Sequence, residues 1–328
     1  MGKHGLSCDN LLSADIVTAD GRLLTASTTE NTDLFWGLRG GGGNFGIVTS
    51  FEYRLHTVNS VLAGMVVYPM AKAKEVLRFY REYARTCPDE LTAFAAMMTS
   101  PEGAPVVAIV VGYIGPIAEG ELLVAPVRKF GPPVADTIAP TSYVQLNTML
   151  DGAFPYGGVQ RYWKSSFLKQ LGDDVVDRAA TLPSPMSMVG FFHVHGAATR
   201  VDRNETAFEH RDDQWDYDII SQWLDLGESA RHIQWTRAFW TAVEPFATGE
   251  VYVNHLDAEE ATRIRAAYSD NYGRLLALKN KYDPTNLFRL NQNIKPTAVL
   301  SSRDGRVPGW SSVAGENFAS APDARASI

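Results

Sequence analysis

Residues 31–55 read NTDLFWGLRGGGGNFGIVTSFEYRL, a glycine-rich turn between a helix pattern and a strand pattern. Segment 31–38 has a capping residue at its start and apolar residues at helical spacing, which predicts a short helix. Apolar and polar residues then alternate over 47–55, the period of a β-strand. The order of helix, turn and strand limits the folds that the N-terminal part of the chain can adopt.

The glycine run satisfies the spacing Gly41-x-Gly43-x-x-Gly46 of the dinucleotide-binding fingerprint. That fingerprint needs a strand before the glycines and a helix after them, so that the helix N-terminus meets the pyrophosphate. The reversed order disfavours a nicotinamide-dependent dehydrogenase, and the lack of a following Gly-Lys-Ser/Thr excludes a Walker loop. Four successive glycines each cost roughly 0.5–1 kcal/mol relative to alanine. The run therefore favours close approach of the backbone to a cofactor over a bare tight turn.

The rest of the chain has the interleaved pattern of an α+β protein. Asp20-Gly21 lies between two β-rich runs and predicts a hairpin. Segments with strand-like patterns are 61–68, 91–99, 106–113, 187–195, 215–224 and 251–256. Segments with helix-like patterns are 71–86, 118–130, 228–246, 257–268 and 272–282. Residues 297–328 have few apolar residues and no period, which predicts a flexible tail.

Composition excludes several classes of protein. The 328 residues carry a formal net charge of −7, which makes nucleic-acid binding a poor hypothesis because it relies on clustered cations. The two cysteines, Cys8 and Cys87, exclude a disulfide scaffold and a four-cysteine zinc site. The apolar run 106–114 is too short to cross a membrane, and the N-terminus lacks the apolar core of a signal peptide. We expect a cytoplasmic protein that binds neither nucleic acid nor membrane.

Three long blocks carry a family resemblance: GLSCDNLLSAD at 5–15, DLFWGLRGGGGNFGIVTSF at 33–51 and YDPTNLFRLNQNI at 282–294. Together with Tyr252-Val-Asn254 upstream of the last block, they resemble the FAD-linked oxidases of the berberine-bridge-enzyme type. The resemblance covers residues 1 to about 296, with a diverse middle. The matching blocks at both ends of the chain are long, and they are far more specific than a lone glycine motif.

The resemblance implies an α+β fold in two parts. A partial FAD-binding domain is built from both chain ends, and a substrate domain of antiparallel sheet flanked by helices is inserted between them. The expected divisions are 1–60 for the FAD-binding part, 61–250 for the substrate domain, 251–296 for the returning C-terminal segment and 297–328 for the tail.

The resemblance also implies FAD as the cofactor. Its candidate contacts lie on the glycine turn, on the strand after it and on the C-terminal segment: Gly43, Asn44, Phe45, Gly46, Ile47, Val48, Asn291 and Gln292. The family's pyrophosphate loop, with its flavin-linking His and often a Cys, has no counterpart in this sequence. Cys8 and His4 match no attachment position. We therefore expect the N-terminal portion of the FAD domain to be lacking and FAD to bind weakly.

Candidate catalytic residues lie in Tyr252-Val-Asn-His255. Oxidation of an alcohol needs a base for the hydroxyl proton while the carbon hydride passes to the flavin. Sugar-oxidising members of the family have a Tyr base at the position of His255, and imidazole suits proton transfer near neutral pH. The alternative is that His255 fills a space that many relatives fill with a nonpolar aromatic. Tyr252 is expected to contact substrate or flavin.

His193 and His195 lie two apart on a predicted strand and so share one face. A metal pair is conceivable, but no third ligand of evident spacing follows, so pocket lining or a hydrogen-bonded sheet surface is favoured and no metal is expected. The block Arg161-Tyr-Trp-Lys-Ser165 could line the substrate cavity or pack in the core.

The leading hypothesis is an FAD-dependent oxidoreductase that moves a hydride from a hydroxyl- or amine-bearing small molecule to flavin. Sugars, alkaloids and secondary metabolites are all compatible, with molecular oxygen or another acceptor receiving the electrons. The alternative is a non-catalytic truncated chain, or one half of a split enzyme that needs a partner to bind flavin.

Overall fold

A computed structural model describes residues 1–178, 182, 184–256, 263–290 and 292–297. These residues form two antiparallel sheets with helices, of three and eight strands. No helix among them is long and apolar enough to cross a membrane. The α+β class expected from the sequence is confirmed.

The small sheet comes from the N-terminal residues and has the strand order β2-β1-β3. Its strands are β1 (Leu11–Thr18), β2 (Leu23–Ser27) and β3 (Gly46–Tyr53). The predicted hairpin at Asp20-Gly21 is confirmed: Gly21 has a φ of 81° and donates its N–H to Thr18 O at 2.9 Å. A positive φ is the conformation that glycine adopts without steric cost.

The large sheet has the order β7-β4-β6-β5-β10-β11-β9, and β8 also pairs with β4. Its strands are β4 (Val61–Pro69), β5 (Leu91–Thr99), β6 (Pro105–Tyr113), β7 (Ala135–Asp136), β8 (Ala139–Thr141), β9 (Gln160–Leu168), β10 (Met188–Val194) and β11 (Gln214–Trp223). The sequence patterns predicted β4, β5, β6, β10 and β11. They missed β9.

The helices are α1 (Thr32–Leu38), α2 (Ala73–Ala84), α3 (Ile117–Lys129), α4 (Tyr143–Asn147), α5 (Asp173–Asp177), α6 (Ala197–Arg200), α7 (Ser229–Val243), α8 (Ile264–Tyr268) and α9 (Tyr272–Tyr282). Helices α2, α3 and α7 pack on one face of the large sheet. The opposite face, which we call the inner face, is directed towards the N-terminal residues. In α2, the apolar residues Val76, Leu77, Tyr80 and Tyr83 are buried as their helical spacing predicts. In α7, Val243 is buried, whereas Ile233 and Trp240 are only partly buried.

Alternation along β11 (Gln214–Trp223) sends its side chains to two different environments. Trp215, Tyr217 and Ile219 belong to the large core under the helices. The side chains between them, including Asp216 and Asp218, therefore lie on the inner face. This alternation places two carboxylates on the inner face of a strand that is buried along its whole length.

A second core joins the two ends of the chain. Its N-terminal residues include Ile16, Leu34 and Phe45, and its C-terminal residues include Leu275 and Ile294. The large core, by contrast, lies within residues 62–243. The domain boundaries expected after residues 60, 250 and 296 stay a prediction.

The glycine turn packs tightly against the chain itself. A Cβ on Gly40, whose φ is 125°, would collide with the backbone of Phe208, and one on Gly41 would collide with Gly37 O. At these two positions, the backbone therefore approaches Phe208 and Gly37 of the same chain closely, rather than a ligand. Gly42 and Gly43 are exposed and remain free to face a ligand.

The predicted strand at 251–256 is wrong. Val253–His255 forms a single 3₁₀ turn, with the N–H of His255 donating to Tyr252 O at 2.9 Å. The turn brings Tyr252 and His255 together, whereas a strand would have placed them on opposite faces. The expected helix at 257–268 is seen only as α8, because 257–262 lie outside the described residues, as does the expected tail beyond residue 297.

The Asn44 side chain connects the glycine turn to the C-terminal segment. Its amide donates to Gly41 O at 2.8 Å and Gln292 O at 3.1 Å, and its oxygen accepts from Ile294 N–H at 2.9 Å. We predict that Asn44→Ala lowers the free energy of unfolding by about 1–3 kcal/mol, because buried polar groups lose their partners. Chemical denaturation measures this change.

The matched control is Asn147→Ala, at an exposed position of α4. It should leave the unfolding free energy within about 0.5 kcal/mol of the parent. Equal denaturation midpoints for the two variants would contradict the connection assigned to Asn44.

Candidate functional site

Three segments far apart in sequence meet on the inner face. Strand β11 presents Asp216 and Asp218, neighbouring β9 presents Ser165, and the turn after residue 252 presents His255. The pairing of Asp218 with Ser165 across the two strands sets this juxtaposition. His255 Nδ1 lies 2.9 Å from Asp218 Oδ1, 3.5 Å from Asp216 Oδ2 and 3.3 Å from Ser165 Oγ. We call Asp216, Asp218 and His255 the acid–His cluster.

Trp163 holds the imidazole from one side. Its ring is stacked on His255 with centroids 5.0 Å apart, and its indole Nε1–H donates to Asp218 Oδ1 at 3.2 Å. One aromatic side chain therefore packs on the imidazole and hydrogen-bonds the carboxylate that the imidazole contacts. Both partners of the His255–Asp218 pair are fixed in orientation.

Burial controls the charges of the cluster. Asp216 is 8 % exposed and Asp218 is 3 % exposed. Burial, followed by the neighbouring charge of Asp218, raises the pKa of Asp216 well above its ordinary value. Burial lowers the pKa of His255, but its hydrogen bond to Asp218 and the two carboxylate charges outweigh burial, so the net shift in this pKa is upward.

The arrangement can accept and hold a proton. When Asp218 accepts a hydrogen bond from Nδ1–H, the neutral imidazole keeps Nε2 as its basic nitrogen. Nε2 makes no hydrogen bond within the described part of the chain. The 2.9 Å Nδ1–Oδ1 contact is a direct hydrogen bond. This hydrogen bond occupies His255 Nδ1, the nitrogen that would have to bind a metal cation placed between Asp216, Asp218 and His255.

Tyr252 adjoins the cluster. Its ring meets His255 edge-on at 4.8 Å, and its hydroxyl accepts from Asn254 Nδ2 at 2.7 Å. Burial raises the pKa of this hydroxyl. Tyr252 is therefore a neutral hydroxyl beside the imidazole at physiological pH.

The residues predicted to touch the cofactor fall into different environments. Phe45 is fully buried in the second core, and Gly46 is packed against Ile16 and Val17. Ile47 is 62 % exposed and Val48 is partly buried. Their role towards a cofactor stays a prediction, as does that of Gly43 and Asn44.

On the C-terminal segment, Asn291 lies outside the described residues. Gln292 donates from Nε2 to Leu256 O at 3.1 Å, one residue beyond His255. The C-terminal segment therefore supports the turn that carries the imidazole.

A cleft of about 850 Å³ opens between the N-terminal residues and the inner face. Its walls include residues 1–7 and 53–56, and its floor includes Phe94. The Phe94 ring is stacked on Phe192 with centroids 4.7 Å apart, and Phe192 is paired with Asp216 across the strands. The two rings thus form a continuous path from the cleft to the acid–His cluster.

His193 and His195 lie apart from this cluster. Their rings stack at 5.4 Å, His193 also stacks on Trp215, and His193 Nε2 lies 2.6 Å from Asp213 Oδ1. Among the described residues, His193 and His195 do not belong to a group of three ligands that lie close enough together to hold a metal ion. It is a hydrogen-bonded and stacked element of the sheet.

Comparisons with known proteins show which proteins this chain resembles. A family model described as "Berberine and berberine like" matches residues 251–295, the segment that carries Tyr252 and His255. An FAD-linked oxidoreductase of Dictyostelium discoideum is 32 % identical over 301 residues, covering 89 % of this chain and 64 % of the relative. The chain resembles the berberine-bridge-type FAD-linked oxidoreductases over most of its length.

Two solved structures of this family share the fold. "BBE-like #28" from Arabidopsis thaliana has a TM-score of 0.77 at 21 % identity, covering 90 % of this chain and 68 % of that one. The 6-hydroxy-D-nicotine oxidase of Arthrobacter nicotinovorans has a TM-score of 0.75 at 25 % identity, covering 89 % and 68 %. The chain spans slightly less than two thirds of the length of the first curated relatives.

FAD is the cofactor expected from these FAD-linked relatives. Two features of the chain suit such a group. The cleft is large, and the backbone of Gly42 and Gly43 is exposed. Tyr252 and His255 would face substrate beside the cofactor, while the exposed glycine backbone could approach it.

Sequence reasoning missed the two carboxylates of the site, Asp216 and Asp218. A signal existed for them, because both lie in a predicted strand, and Asp is rarely buried without a partner. Trp163 and Ser165 lie in the block 161–165, for which cavity lining and core packing were both left open, and their strand was not predicted.

The buried His193 makes stability depend on pH. Burial lowers the pKa of His193 despite its hydrogen bond to Asp213. A folded-state pKa below the unfolded value of about 6.5 stabilises the fold above that pH, and the stabilisation is lost as pH falls. We predict that the free energy of unfolding decreases from pH 7 to pH 5, and that this decrease is smaller in His193→Phe.

Denaturation at each pH measures the effect, and His56→Phe, at an exposed position, is the control. His56→Phe should show the parental decrease in the free energy of unfolding between pH 7 and pH 5. If His193→Phe shows the same decrease as His56→Phe, His193 does not cause the pH dependence.

Proposed function

We propose that this chain supplies the substrate-oxidising part of an FAD-dependent oxidoreductase. The reaction removes a hydride from the carbon beside a hydroxyl or amine of a small molecule, and molecular oxygen or another acceptor takes up the electrons. The acid–His cluster carries the proposal, because it is a fixed proton acceptor on the inner face, connected to the cleft by Phe94 and Phe192.

Each proton and electron pair has a destination in this reaction. His255 Nε2 accepts the proton from the O–H or N–H of the substrate, while Asp218 keeps Nδ1–H in place and stabilises the resulting imidazolium. FAD, when bound, supplies the acceptor for the hydride. Trp163 keeps the imidazole from rotating, and the neutral Tyr252 hydroxyl can hydrogen-bond the substrate heteroatom.

A second candidate function is supported by the surface of the small sheet. Strand β3 (Gly46–Tyr53) pairs with β1 alone among the described residues. Ile47 is 62 % exposed, Phe51 54 % and Leu55 89 %. An unpaired edge with apolar side chains is a template for another chain. The chain would then be one half of an enzyme that needs a partner polypeptide to hold flavin.

The absorbance of the purified chain after addition of FAD separates the two candidates. Retained yellow flavin after gel filtration supports the first. A colourless chain that gains flavin only with a second polypeptide supports the second.

We predict that His255→Phe and Asp218→Asn slow flavin reduction by about 100-fold, because proton transfer by a positioned side chain contributes that much or more. The assay is anaerobic stopped-flow absorbance of the flavin-loaded protein, with an alcohol or amine found by screening for flavin bleaching. Asp174→Asn, exposed on α5, is the matched control and should keep the parental rate. Parental reduction rates in both site variants would exclude the acid–His cluster as the proton acceptor.

The pH profile tests the same assignment independently. His255 must be neutral to accept a proton, and its pKa lies above the ordinary value of about 6.5. The rate of flavin reduction should therefore rise with pH through a midpoint above 6.5. Asp218→Asn removes the main cause of the upward shift, so its midpoint should lie at lower pH. An unmoved midpoint would assign the titration to another group.

A further inference from the structure

The inner face beside the acid–His cluster has a distinct chemical character. Across the strands, Asp216 is paired with Phe192, and Phe192 with Phe94. The adjacent row pairs Asp218 with Gly190, and Gly190 with Ala96. The face therefore combines stacked aromatic rings and small residues with two carboxylates at one end. A carbohydrate site would need many hydrogen-bonding side chains, and these two rows offer the two carboxylates and the hydroxyl of Ser165, which is paired with Asp218.

The position of Phe192 depends on Gly190. A Cβ on Gly190 would lie 2.9 Å from Phe192 Cε2, so the ring extends over the glycine towards Asp218. Phe192 and Phe94 are both partly exposed, unlike the aromatic residues of the large core. A flat ring bound from the cleft would find an aromatic surface there, and such a pair contributes beyond the area it buries.

Within the described part of the chain, the two acidic side chains of the cluster have one basic partner, His255. Asp216 and Asp218 share one imidazole, and Asp216 Oδ1 is buried without a hydrogen-bond partner among the described residues. Arg161 lies further along the same face of β9 and donates to Gln222 and to Pro155 O. Arg263 donates to Ser165 O and Ser166 Oγ and lies over Trp240, beneath the helices. A buried acceptor without a partner is costly and is satisfied when a ligand donates to it.

We propose that Phe192 and Asp216 together select the substrate, an aromatic compound with a positively charged amine: its ring stacks on Phe192 and its N–H donates to Asp216 Oδ1. This inference rests on the proposed function, since it concerns the same site and chooses the amine over the alcohol. Asp216 and Phe192 act on different parts of the ligand, so their contributions are separable by experiment.

Proton release accompanies binding. Burial favours the protonated form of Asp216 in the free protein. A bound ammonium group stabilises the carboxylate, so the cation displaces the carboxyl proton into solvent. An alcohol of the same shape has no charge and displaces none.

The test is isothermal titration calorimetry of the full 328-residue chain with three probes. These are 2-phenylethylamine, which is cationic at pH 7, the uncharged 2-phenylethanol, and the non-aromatic cation 2-cyclohexylethylamine. We expect 2-phenylethylamine to bind about tenfold more tightly than either analogue. Each analogue lacks one interaction, the charge-assisted hydrogen bond or the aromatic contact, and either one contributes about that much affinity. Titration in buffers of different ionisation enthalpy should show proton release for the amines alone.

The variants assign each part of the ligand to one residue. Phe192→Ala should weaken binding of both phenyl compounds about tenfold and leave 2-cyclohexylethylamine within about twofold. Asp216→Asn should weaken both amines about tenfold, abolish proton release and leave 2-phenylethanol within about twofold. Phe192→Leu, which keeps apolar volume, guards against misfolding and should show the same loss of preference for the phenyl ring. Thermal unfolding confirms that each variant is folded.

The inference is overturned if folded Phe192→Ala and Asp216→Asn bind all three probes with parental affinity, or if 2-phenylethanol or glucose binds the parent more tightly than 2-phenylethylamine. Binding is measured without turnover, so its outcome is independent of His255. If the preference holds but His255→Phe reduces flavin at the parental rate, the proposed function fails and the selectivity stands. If His255→Phe slows flavin reduction but the binding preference is absent, the proposed function stands and only the inference about substrate selectivity fails.

Discussion

A single buried ammonium group holds the two ends of the chain together. Lys279 and Asp283 are both fully buried and form an ion pair at 2.6 Å. The same Nζ also donates to Asn44 O at 3.0 Å and to Phe288 O at 2.6 Å. Asp283 in turn accepts from the backbone N–H groups of residues 287 and 288. A buried charge is tolerated only when all its partners are present, so the glycine turn, α9 and the C-terminal segment must adopt their positions together.

This constraint extends to the acid–His cluster through a short series of contacts. Asn44 binds the backbone of the C-terminal segment at Gln292, and the Gln292 side chain binds Leu256 O. Leu256 follows His255 directly. The imidazole is thus supported from the second core, while its carboxylate partners are supported by the large sheet. The site lies where two separately built cores meet.

The sequence predicted most of the local structure, while the roles of its candidate site residues stay predictions. Alternation and helical spacing are local signals, so β3, β11, α7 and α9 were found close to their observed bounds. The turn at Val253–His255 was taken for a strand because six residues carry too little periodicity to distinguish the two. Family resemblance indicated Tyr252 and His255. Asp216 and Asp218 were missed because their contact with His255 depends on strand pairing, which no local pattern reports.

The glycine run shows the limit of reasoning from one residue type. Four glycines correctly indicated close backbone approach, yet two of them are required by Phe208 and Gly37 rather than by a ligand. The same conformational demand arises from either cause, so composition alone does not distinguish them. Gly42 and Gly43 are exposed, and this exposure distinguishes them from Gly40 and Gly41 as the part of the turn that is free to approach a ligand.

The link between Asn44 and Lys279 also has a consequence for biosynthesis. These residues are 235 positions apart, and the whole large sheet is translated between them. The large core, confined to residues 62–243, can therefore assemble on the ribosome before Lys279 is synthesised. The N-terminal sheet must wait, with its apolar side chains uncovered, until the last helix emerges. A nascent chain of this protein should for that reason be a client of ribosome-associated chaperones, and its N-terminal sheet the part they protect.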